Sequence, residues 1–408
     1  MKMLLIISDG LGDVQDSELQ NKTPLEYGTF SNLNKMCKEG ICGMMDPIAP
    51  GTIPGSDTAH ISILGEDPYT YYNGRGYLEA LGTGLRPGPN DVGFRLNFGT
   101  VTDGIIEDRR AGRSSFGLKR LVKDINDSVK LDVPYQFKEA TGTRAALVLE
   151  GDNLSNKVSD GDPHNIFEKP KKVVALDGSP EAERTASIIN DFITKSQKVL
   201  EGHPVNEERK ANGQLPANFL LVRGAGLRPR YPTFQERYGV SAACIAATAL
   251  IRGVAKCYGF DLIDIEGMTG EYNTDIKAKT KATLEALHKY DFVFTHFKPT
   301  DTASHDGDPQ KKIQMIGYVD YLVSMIMKHQ DRDDIVVAFT GDHTTPCSVG
   351  NHTGESVPIM MWGGRVRRDE VNHFDEISCA KGGLGHIRGQ DVVPMLMNQA
   401  LKNKLFGA

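Results

Sequence analysis

The feature that most constrains the fold is a recurring pattern: a short apolar run, then polar or glycine-rich residues, then a stretch with helical periodicity. This alternation predicts an α/β protein with a mostly parallel sheet flanked by helices. Strands are predicted at Met3–Ser8, Phe292–Phe297, Ile335–Thr340, Ala145–Leu149, Val173–Leu176 and Phe219–Val222. Helices are predicted at Ala182–Lys198, Ala242–Arg252, Thr274–His288, Pro309–Met327 and Asp391–Lys402.

The middle of the chain differs from both ends. It carries clusters of arginine, weaker strand–helix units and polar loops such as Glu201–Gln214. A chain of 408 residues has room for two or three domains. Candidate metal ligands lie on both sides of this middle segment. We therefore predict a smaller α/β domain over 81–214, which binds substrate and is inserted into a metal-binding core domain formed by 1–80 and 215–408.

Composition limits the classes of partner. The 47 basic and 53 acidic residues leave a net charge of −6 without any block of like charges, so no nucleic acid or membrane surface is expected to bind. The apolar run at the N-terminus ends at Asp9 without a cleavage site, which favours a strand over a signal peptide. Six scattered cysteines favour reduced thiols. We predict a cytoplasmic protein with a small-molecule partner, and homo-oligomer formation stays open.

Acids and histidines cluster where the predicted strands end, which is where open α/β sheets bind ligands. Asp301 and His305 are four residues apart and would share one face of a helical turn. A mixture of carboxylates and imidazoles suits borderline divalent ions such as Mn²⁺, Zn²⁺ or Co²⁺. Six ligands are too many for one tetrahedral ion and suit two ions that share a site. The set comprises Asp9, Asp301, His305, Asp342, His343 and His352.

A second candidate is Ser56, in the segment Pro54–His60 that leads into an apolar stretch. The preceding proline and glycine place this serine at a predicted helix N-terminus, where backbone N–H groups and the helix dipole favour an anion. A serine hydroxyl becomes a good nucleophile only when a metal ion or a base lowers its pKa. Beside a two-metal site, we interpret Ser56 as a nucleophile and not as a helix cap.

A third set of residues would bind an anion. The planar guanidinium of arginine forms bidentate contacts with carboxylates and phosphates. We expect two or three arginines of the middle segment to contact a small anionic substrate, out of Arg75, Arg95, Arg109, Arg110 and Arg113. Asp160, Asp162 and His164 would hold hydroxyl groups of that substrate or move protons, with a simple polar turn as the alternative.

These segments closely resemble the motifs of the archaeal-type cofactor-independent phosphoglycerate mutases, which belong to the alkaline phosphatase superfamily. The metal-ligand motifs are specific only to the superfamily, whereas the serine and arginine segments narrow the resemblance to the mutases. One departure is Ser304, where the family would have glycine. The resemblance extends over essentially the whole chain and rests on Ser8–Gly10, Pro54–His60, Asn73–Gly76, Phe94–Phe98, Asp108–Arg113, Asp301–Gly307, Thr340–His343 and His352.

The resemblance implies an alkaline-phosphatase-like core and the interconversion of 3-phosphoglycerate and 2-phosphoglycerate, a step of glycolysis and gluconeogenesis, without bisphosphoglycerate. It implies two divalent metal ions, with Mn²⁺ expected and Zn²⁺, Co²⁺ or Mg²⁺ as alternatives. Ser56 would accept the phosphoryl group. One ion would be held by Asp9, Asp342, His343 and Ser56, and the other by Asp301, His305 and His352.

The resemblance also implies which residues bind the phosphoglycerate. The positively charged candidates are Arg95, Arg109, Arg110, Arg113 and Lys298. Asp160, Asp162 and His164 would lie near the glycerate hydroxyls. Two other functions stay open at this point: a metal-dependent phosphatase, sulfatase or other phosphomutase with the same site, and a catalytically silent metal-binding protein, against which the intact Ser56 argues.

Overall fold

The computed structural model describes residues 1–403, 405 and 407, and its contacts divide the chain into two compact units. The first unit consists of residues 1–72 and the chain from Arg230 onward, and the second of Asn73–Pro229. Within the described residues, no helix is both long and apolar enough to cross a membrane.

The strands are β1 (Lys2–Ser8), β2 (Ile41–Asp46), β3 (Val92–Thr102), β4 (Ile105–Asp108), β5 (Tyr135–Glu139), β6 (Arg144–Leu149), β7 (Phe219–Gly226), β8 (Ala242–Ile245), β9 (Asp261–Leu262), β10 (Phe292–Phe297), β11 (Ile335–Thr340), β12 (Val357–Gly363) and β13 (Gly385–Arg388).

The α-helices are α1 (Pro24–Tyr27), α2 (Ser31–Lys38), α3 (Ser56–Ile63), α4 (Pro68–Tyr71), α5 (Arg75–Gly82), α6 (Leu118–Ser128), α7 (Pro180–Leu200), α8 (Pro204–Ala211), α9 (Phe234–Tyr238), α10 (Ala249–Cys257), α11 (Ile276–Lys289), α12 (Pro299–His305), α13 (Pro309–His329), α14 (Glu376–Cys379) and α15 (Val392–Gln399). Short 3₁₀ helices cover Ser17–Leu19, Ala111–Arg113 and Gly389–Asp391.

The first unit is built on one eight-stranded sheet in the order β13-β2-β12-β11-β1-β10-β8-β9. The pairings of β1 with β10 and β11, of β8 with β10 and β9, and of β13 with β2 are parallel, whereas β12 runs antiparallel to β11 and β2. Strands β10 and β11 are buried along their whole length, as expected for parallel strands covered on both faces. The predicted α/β class with a mostly parallel sheet is confirmed.

The second unit has an antiparallel five-stranded sheet, in which β4-β3-β6-β5 are neighbours and β7 pairs with β3. Its core contains Phe94, Phe137 and Phe192, packed among aliphatic side chains from the helices. The unit extends beyond the predicted segment 81–214 at both ends. The reason is that α5 packs on β3 and β7 pairs with β3, so both elements are attached to the sheet of this unit.

Two predicted elements are wrong. Val173–Leu176 forms only an isolated bridge between Ala175 and Val158. Side chains take the place of a neighbouring strand, because the N–H groups of Val173 and Val174 donate to Asn190 Oδ1 and Ser159 Oγ. The predicted helix at Ala242–Arg252 begins instead as strand β8. Its residues are buried against β10, and this tertiary pairing outweighs the helix preference of alanine.

A polar network in the first unit links α13 to the loop after β1. Lys312 Nζ lies 2.8 Å from Asp13 Oδ2, and both side chains are buried. The carboxylate of Glu376 accepts hydrogen bonds from Thr23 Oγ1 at 2.7 Å and from the backbone N–H of Asp13 at 3.2 Å. Burial raises the pKa of Glu376 to about 7, so the folded protein keeps a proton that an unfolded chain releases near pH 4.5.

Stability should therefore fall between pH 5 and pH 8 through Glu376, since the native state binds the extra proton in this range. Glutamine at position 376 stays neutral at both pH values and avoids this loss. We therefore expect the free energy of unfolding of Glu376→Gln, measured relative to the wild type, to be roughly 1–3 kcal/mol higher at pH 8 than at pH 5. Urea unfolding at both pH values measures this difference. The exposed Glu370→Gln is the control, and an equal effect of Glu376→Gln at both pH values would contradict the prediction.

Candidate metal centre

The register of three neighbouring strands brings the predicted acids together. Strand β1 lies between β10 and β11, with Ser8 opposite Phe297 and Ile7 opposite Thr340. Asp9 follows β1 directly, Asp301 lies in α12 just after β10, and Asp342 follows β11. Because the three strands are parallel, these side chains leave the sheet at one edge.

One group of predicted ligands surrounds His343. Its Nε2 atom lies 3.3 Å from Asp9 Oδ1, 3.2 Å from Asp342 Oδ2 and 3.3 Å from Ser56 Oγ. Asp9, Asp342 and His343 are buried, and Ser56 is half-buried. The other oxygen of Asp342 accepts a hydrogen bond from the backbone N–H of Gly10 at 3.0 Å, which holds this carboxylate in place.

The other group surrounds Asp301. Its oxygens lie 3.3 Å from His305 Nε2 and 3.7 Å from His352 Nε2. The Nδ1 atoms of the two histidines face backbone carbonyls, at 2.7 Å from Gly350 O and 2.8 Å from Pro54 O. A carbonyl can only accept, so Nδ1 carries the proton and the Nε2 lone pair is free to bind a metal ion.

Ser56 is the first residue of α3, and the cap position belongs to Gly55. The Ser56 hydroxyl is therefore not used as a helix cap, which was the alternative interpretation of this serine. Its Oγ lies beside His343, and the His343 ring stacks on the His352 ring with centroids 3.5 Å apart. The hydroxyl thus faces both groups of predicted ligands.

Two small residues shape the edge of the site. Gly10 has φ of 62°, and a Cβ atom there would lie 2.8 Å from Asp301 Oδ1, so only glycine fits. Ser304, the departure from the family pattern, is buried in α12 and donates to the carbonyl of Thr300 at 3.1 Å. The helix therefore accommodates this serine without any special backbone conformation.

Lys298 is the cation among these carboxylates. Its Nζ lies 3.2 Å from Asp9 Oδ2 and also contacts Asp301 Oδ2. Burial alone would raise the pKa of Asp9, but Lys298, with His296 and His343, holds it well below its usual value. Burial and the Asp9 charge would likewise raise the pKa of Asp301, and Lys298 is foremost among the groups that lower it. Both carboxylates are consequently ionised at neutral pH.

These residues fit divalent cations. Asp9 Oδ1 and Asp342 Oδ2 are buried and have no hydrogen-bond partner among the described residues. Three groups have ligand atoms within 4.8 Å of one another: Asp301, His305 and His352; Asp9, Asp301 and His343; and His60, His296 and Asp342. The first group is the set predicted for one ion. The second contains Asp9 and His343 of the other predicted set, with Asp301 in the place of Asp342.

The third group contains two histidines that were not predicted as ligands. His60 lies on α3 one turn after Ser56, and His296 lies within β10. His296 follows Thr295 in the mostly apolar run of β10, and an ionisable residue in such a buried strand is a signal that sequence reasoning can use.

The predicted substrate residues of the second unit form a network around His164. Arg109 makes a bidentate contact with Asp162 at 2.9 and 2.6 Å. His164 Nε2 lies 3.0 Å from Asp160 Oδ2, and its Nδ1 faces the guanidinium groups of Arg109 at 3.4 Å and Arg223 at 3.3 Å. Because guanidinium can only donate, Nδ1 accepts and Nε2 donates its proton to Asp160.

The remaining arginines are arranged differently. Arg95 is buried, with Nη1 3.4 Å from Glu79 Oε1, while Arg110 and Arg113 are exposed in the segment after β4. Arg144 and Arg223 lie near Arg95 and were not predicted. Arg223 follows the predicted strand Phe219–Val222 directly. The acids of the first unit were predicted as site residues because they follow predicted strands, and the same criterion would have selected Arg223.

Comparison with known proteins shows the family of the chain. Residues 1–399 match the family model described as the Metalloenzyme superfamily. The protein named 2,3-bisphosphoglycerate-independent phosphoglycerate mutase from Thermococcus kodakarensis is 48% identical, over 100% of this chain and 99% of its own length. The protein of the same name from Methanococcus aeolicus is 45% identical over 100% of both chains.

Solved structures give the same relationship. A Pyrococcus horikoshii protein aligns with a TM-score of 0.88 and 42% identity, over 100% of this chain and 99% of its own. The cofactor-independent phosphoglycerate mutase of Thermoplasma acidophilum aligns with a TM-score of 0.70 and 36% identity, over 98% of this chain and 100% of its own. The resemblance seen in the motifs is confirmed, and the chain belongs to the 2,3-bisphosphoglycerate-independent phosphoglycerate mutases of the Metalloenzyme superfamily.

Proposed function

We propose that this protein interconverts 3-phosphoglycerate and 2-phosphoglycerate by passing the phosphoryl group through Ser56. The observation that carries the proposal is the position of Ser56 Oγ, 3.3 Å from His343 Nε2 at the N-terminus of α3. A nucleophile there meets the positive end of a helix and lies next to predicted cation ligands. The proposal includes a small-molecule substrate and a cytoplasmic location, where glycolysis and gluconeogenesis use phosphoglycerates.

Two divalent cations, with Mn²⁺ preferred, belong to the proposal. Asp9, Asp342, His343 and Ser56 Oγ would hold one cation, and Asp301, His305 and His352 the other. Such cations supply charge neutralisation at the phosphoryl oxygens and lower the pKa of the serine hydroxyl. The free Nε2 lone pairs of His305 and His352 and the unpartnered oxygens of Asp9 and Asp342 support this assignment.

The chain's own residues carry out the transfer. Ser56 Oγ gives up its proton and attacks phosphorus in line, forming the Oγ–P bond while the bond from phosphorus to the C3 oxygen breaks. The C3 oxygen takes a proton, so glycerate forms with both hydroxyls neutral. The C2 oxygen then loses its proton and attacks the same phosphorus, the Oγ–P bond breaks, and Ser56 Oγ takes a proton back. Lys298 would contribute positive charge beside the transferred group.

The second unit would bind the glycerate and transfer the protons of its hydroxyl groups. Asp160 and His164 form the pair that we assign to taking and returning hydroxyl protons, since His164 Nε2 donates to Asp160 Oδ2. Asp162 keeps Arg109 in a fixed orientation through its bidentate contact. Positive charge for the substrate carboxylate and phosphate would come from Arg95, Arg109, Arg110 and Arg113.

The first prediction concerns the reaction itself. Purified protein with Mn²⁺ should equilibrate 3-phosphoglycerate and 2-phosphoglycerate without added bisphosphoglycerate, because Ser56 serves as the intermediate acceptor. Phosphorus NMR follows both isomers and inorganic phosphate in one sample. Release of inorganic phosphate at a comparable rate would contradict the mutase proposal and favour a phosphatase.

The second prediction concerns the nucleophile. Ser56→Ala should lower the interconversion rate by at least about 10³-fold, because no other hydroxyl takes its place. Metal analysis should still find bound cation, since the carboxylate and histidine ligands remain. Ser324→Ala is the matched control, as this hydroxyl bonds only within its helix, to Tyr321 O. Substantial residual turnover in Ser56→Ala would mean that another group accepts the phosphate.

The third prediction concerns the cation ligands. Asp301→Asn should lower the Mn²⁺ content per chain, because this carboxylate lies between both groups of predicted ligands. Inductively coupled plasma mass spectrometry after dialysis measures the content. Asp306→Asn, five residues later and bonded to Tyr272 OH, is the control and should keep its metal. An unchanged metal content in Asp301→Asn would refute the ligand assignment.

A further inference from the structure

Two buried histidines lie behind the predicted ligands, and the proposed reaction does not use them. His60 and His296 are both 0% exposed, and their rings are 5.1 Å apart with an interplanar angle of 59°. The His60 ring faces Phe294, with ring centroids 5.6 Å apart. Burying an imidazole costs free energy unless its nitrogen atoms make polar interactions. The burial of these two rings therefore needs a structural or functional reason.

His60 is tied to the nucleophile. Its Nδ1 lies 2.6 Å from the backbone oxygen of Ser56 and 3.6 Å from Asp342 Oδ2. A carbonyl oxygen only accepts, so Nδ1 carries the proton and donates it to Ser56. This hydrogen bond lies within α3 and fixes the backbone of its first turn at Ser56, while the contact of 3.6 Å places the same ring atom beside Asp342.

His296 is tied to Asp9. Its Nε2 lies 3.1 Å from Asp9 Oδ2, on the side of the carboxylate that faces away from His343. The backbone around it is fixed, because His296 lies opposite Ile7 in the register of β1 and β10 and its carbonyl accepts from the buried Lys279 Nζ. Nε2 is therefore the ring atom that faces Asp9, although neither ring nitrogen of His296 completes a hydrogen bond among the described residues. Because a carboxylate oxygen only accepts, an Nε2–H in this position would orient the Asp9 side chain once the contact aligns.

We propose that His60 and His296 are positioning residues, which hold Ser56 and Asp9 in the geometry that the phosphoryl transfer requires. This inference rests on the proposed function, since it takes Ser56 as the nucleophile and Asp9 as a cation ligand. His60 acts through the Ser56 backbone, and His296 acts through one oxygen of Asp9. Neither ring touches the substrate.

Charge balance favours this role over a third cation bound by His60, His296 and Asp342. The buried carboxylates Asp9, Asp301 and Asp342 carry three negative charges, and Lys298 already contacts two of them. Two divalent cations would exceed that negative charge before any third one arrived. A further dication in a fully buried pocket would meet repulsion that no nearby carboxylate offsets.

Substitution by asparagine or glutamine distinguishes a positioning role of each histidine from a role in packing alone. The amide nitrogen of asparagine occupies about the place of Nδ1 of histidine, and that of glutamine about the place of Nε2. His60 should therefore be replaced by asparagine but not by glutamine, since its Nδ1 is the donor. The order reverses at His296, where Nε2 is the atom that faces Asp9. A residue that only fills space would not show such a crossed pattern.

Two measurements test this crossed pattern of the asparagine and glutamine variants. Calorimetric titration with Mn²⁺ should show affinity weakened about 10–100-fold in His296→Asn and within about threefold of the wild type in His296→Gln. In His60→Gln, kcat should fall about 10–100-fold at saturating Mn²⁺ with KM for 3-phosphoglycerate unchanged, while His60→Asn keeps most of kcat. The exposed His329→Asn is the control, and thermal unfolding shows whether each pair has equal stability.

Each outcome decides the question. Equal losses in both amides at a position would overturn the proposal there, because packing alone would explain them. A third equivalent of Mn²⁺ that is bound by the wild type and lost in both His60 variants would overturn it in favour of a cation site. If the wild type binds Mn²⁺ but does not interconvert phosphoglycerates, the proposed function fails, whereas Mn²⁺ affinity still decides the role of His296. A wild type without Mn²⁺ affinity would overturn both.

Discussion

The first unit depends on the close approach of three carboxylates, from Asp9, Asp301 and Asp342, in a buried space. Like charges at such distances repel strongly when water is excluded, so the arrangement needs compensating positive charge and fixed donors. Lys298 supplies positive charge, and the backbone N–H of Gly10 holds one carboxylate. The parallel strands provide the rigid frame, since β1 is hydrogen-bonded on both edges.

The histidines follow one rule in both units. A neutral imidazole carries one proton. The hydrogen-bond partner of one ring nitrogen therefore determines whether the other nitrogen carries that proton or a lone pair. Carbonyl oxygens at Nδ1 leave Nε2 of His305 and His352 as a lone pair, whereas guanidinium groups at Nδ1 of His164 leave its Nε2 as a donor. The same side chain thus presents a lone pair suited to a cation in one unit and a proton in the other.

The sequence predicts the α/β class and the strands that carry the acids, because apolar runs buried on both faces are recognisable without tertiary information. It fails where burial depends on distant partners. Ala242 and Ala243 form a strand only because β10 lies beside them, and Val174 remains exposed because no partner covers it. His296 escaped notice for a related reason, since its neighbour His60 is distant along the chain and close only in the fold.

The position of β1 between β10 and β11 also bears on synthesis at the ribosome. Strand β1 emerges well before both of its partners, which come from the last third of the chain. The second unit lies between them in sequence and has its own core, so its contacts become available much earlier. Throughout that interval β1 presents two unpaired edges and the apolar side chains of Leu4 and Ile6, a state that invites aggregation and that chaperones protect.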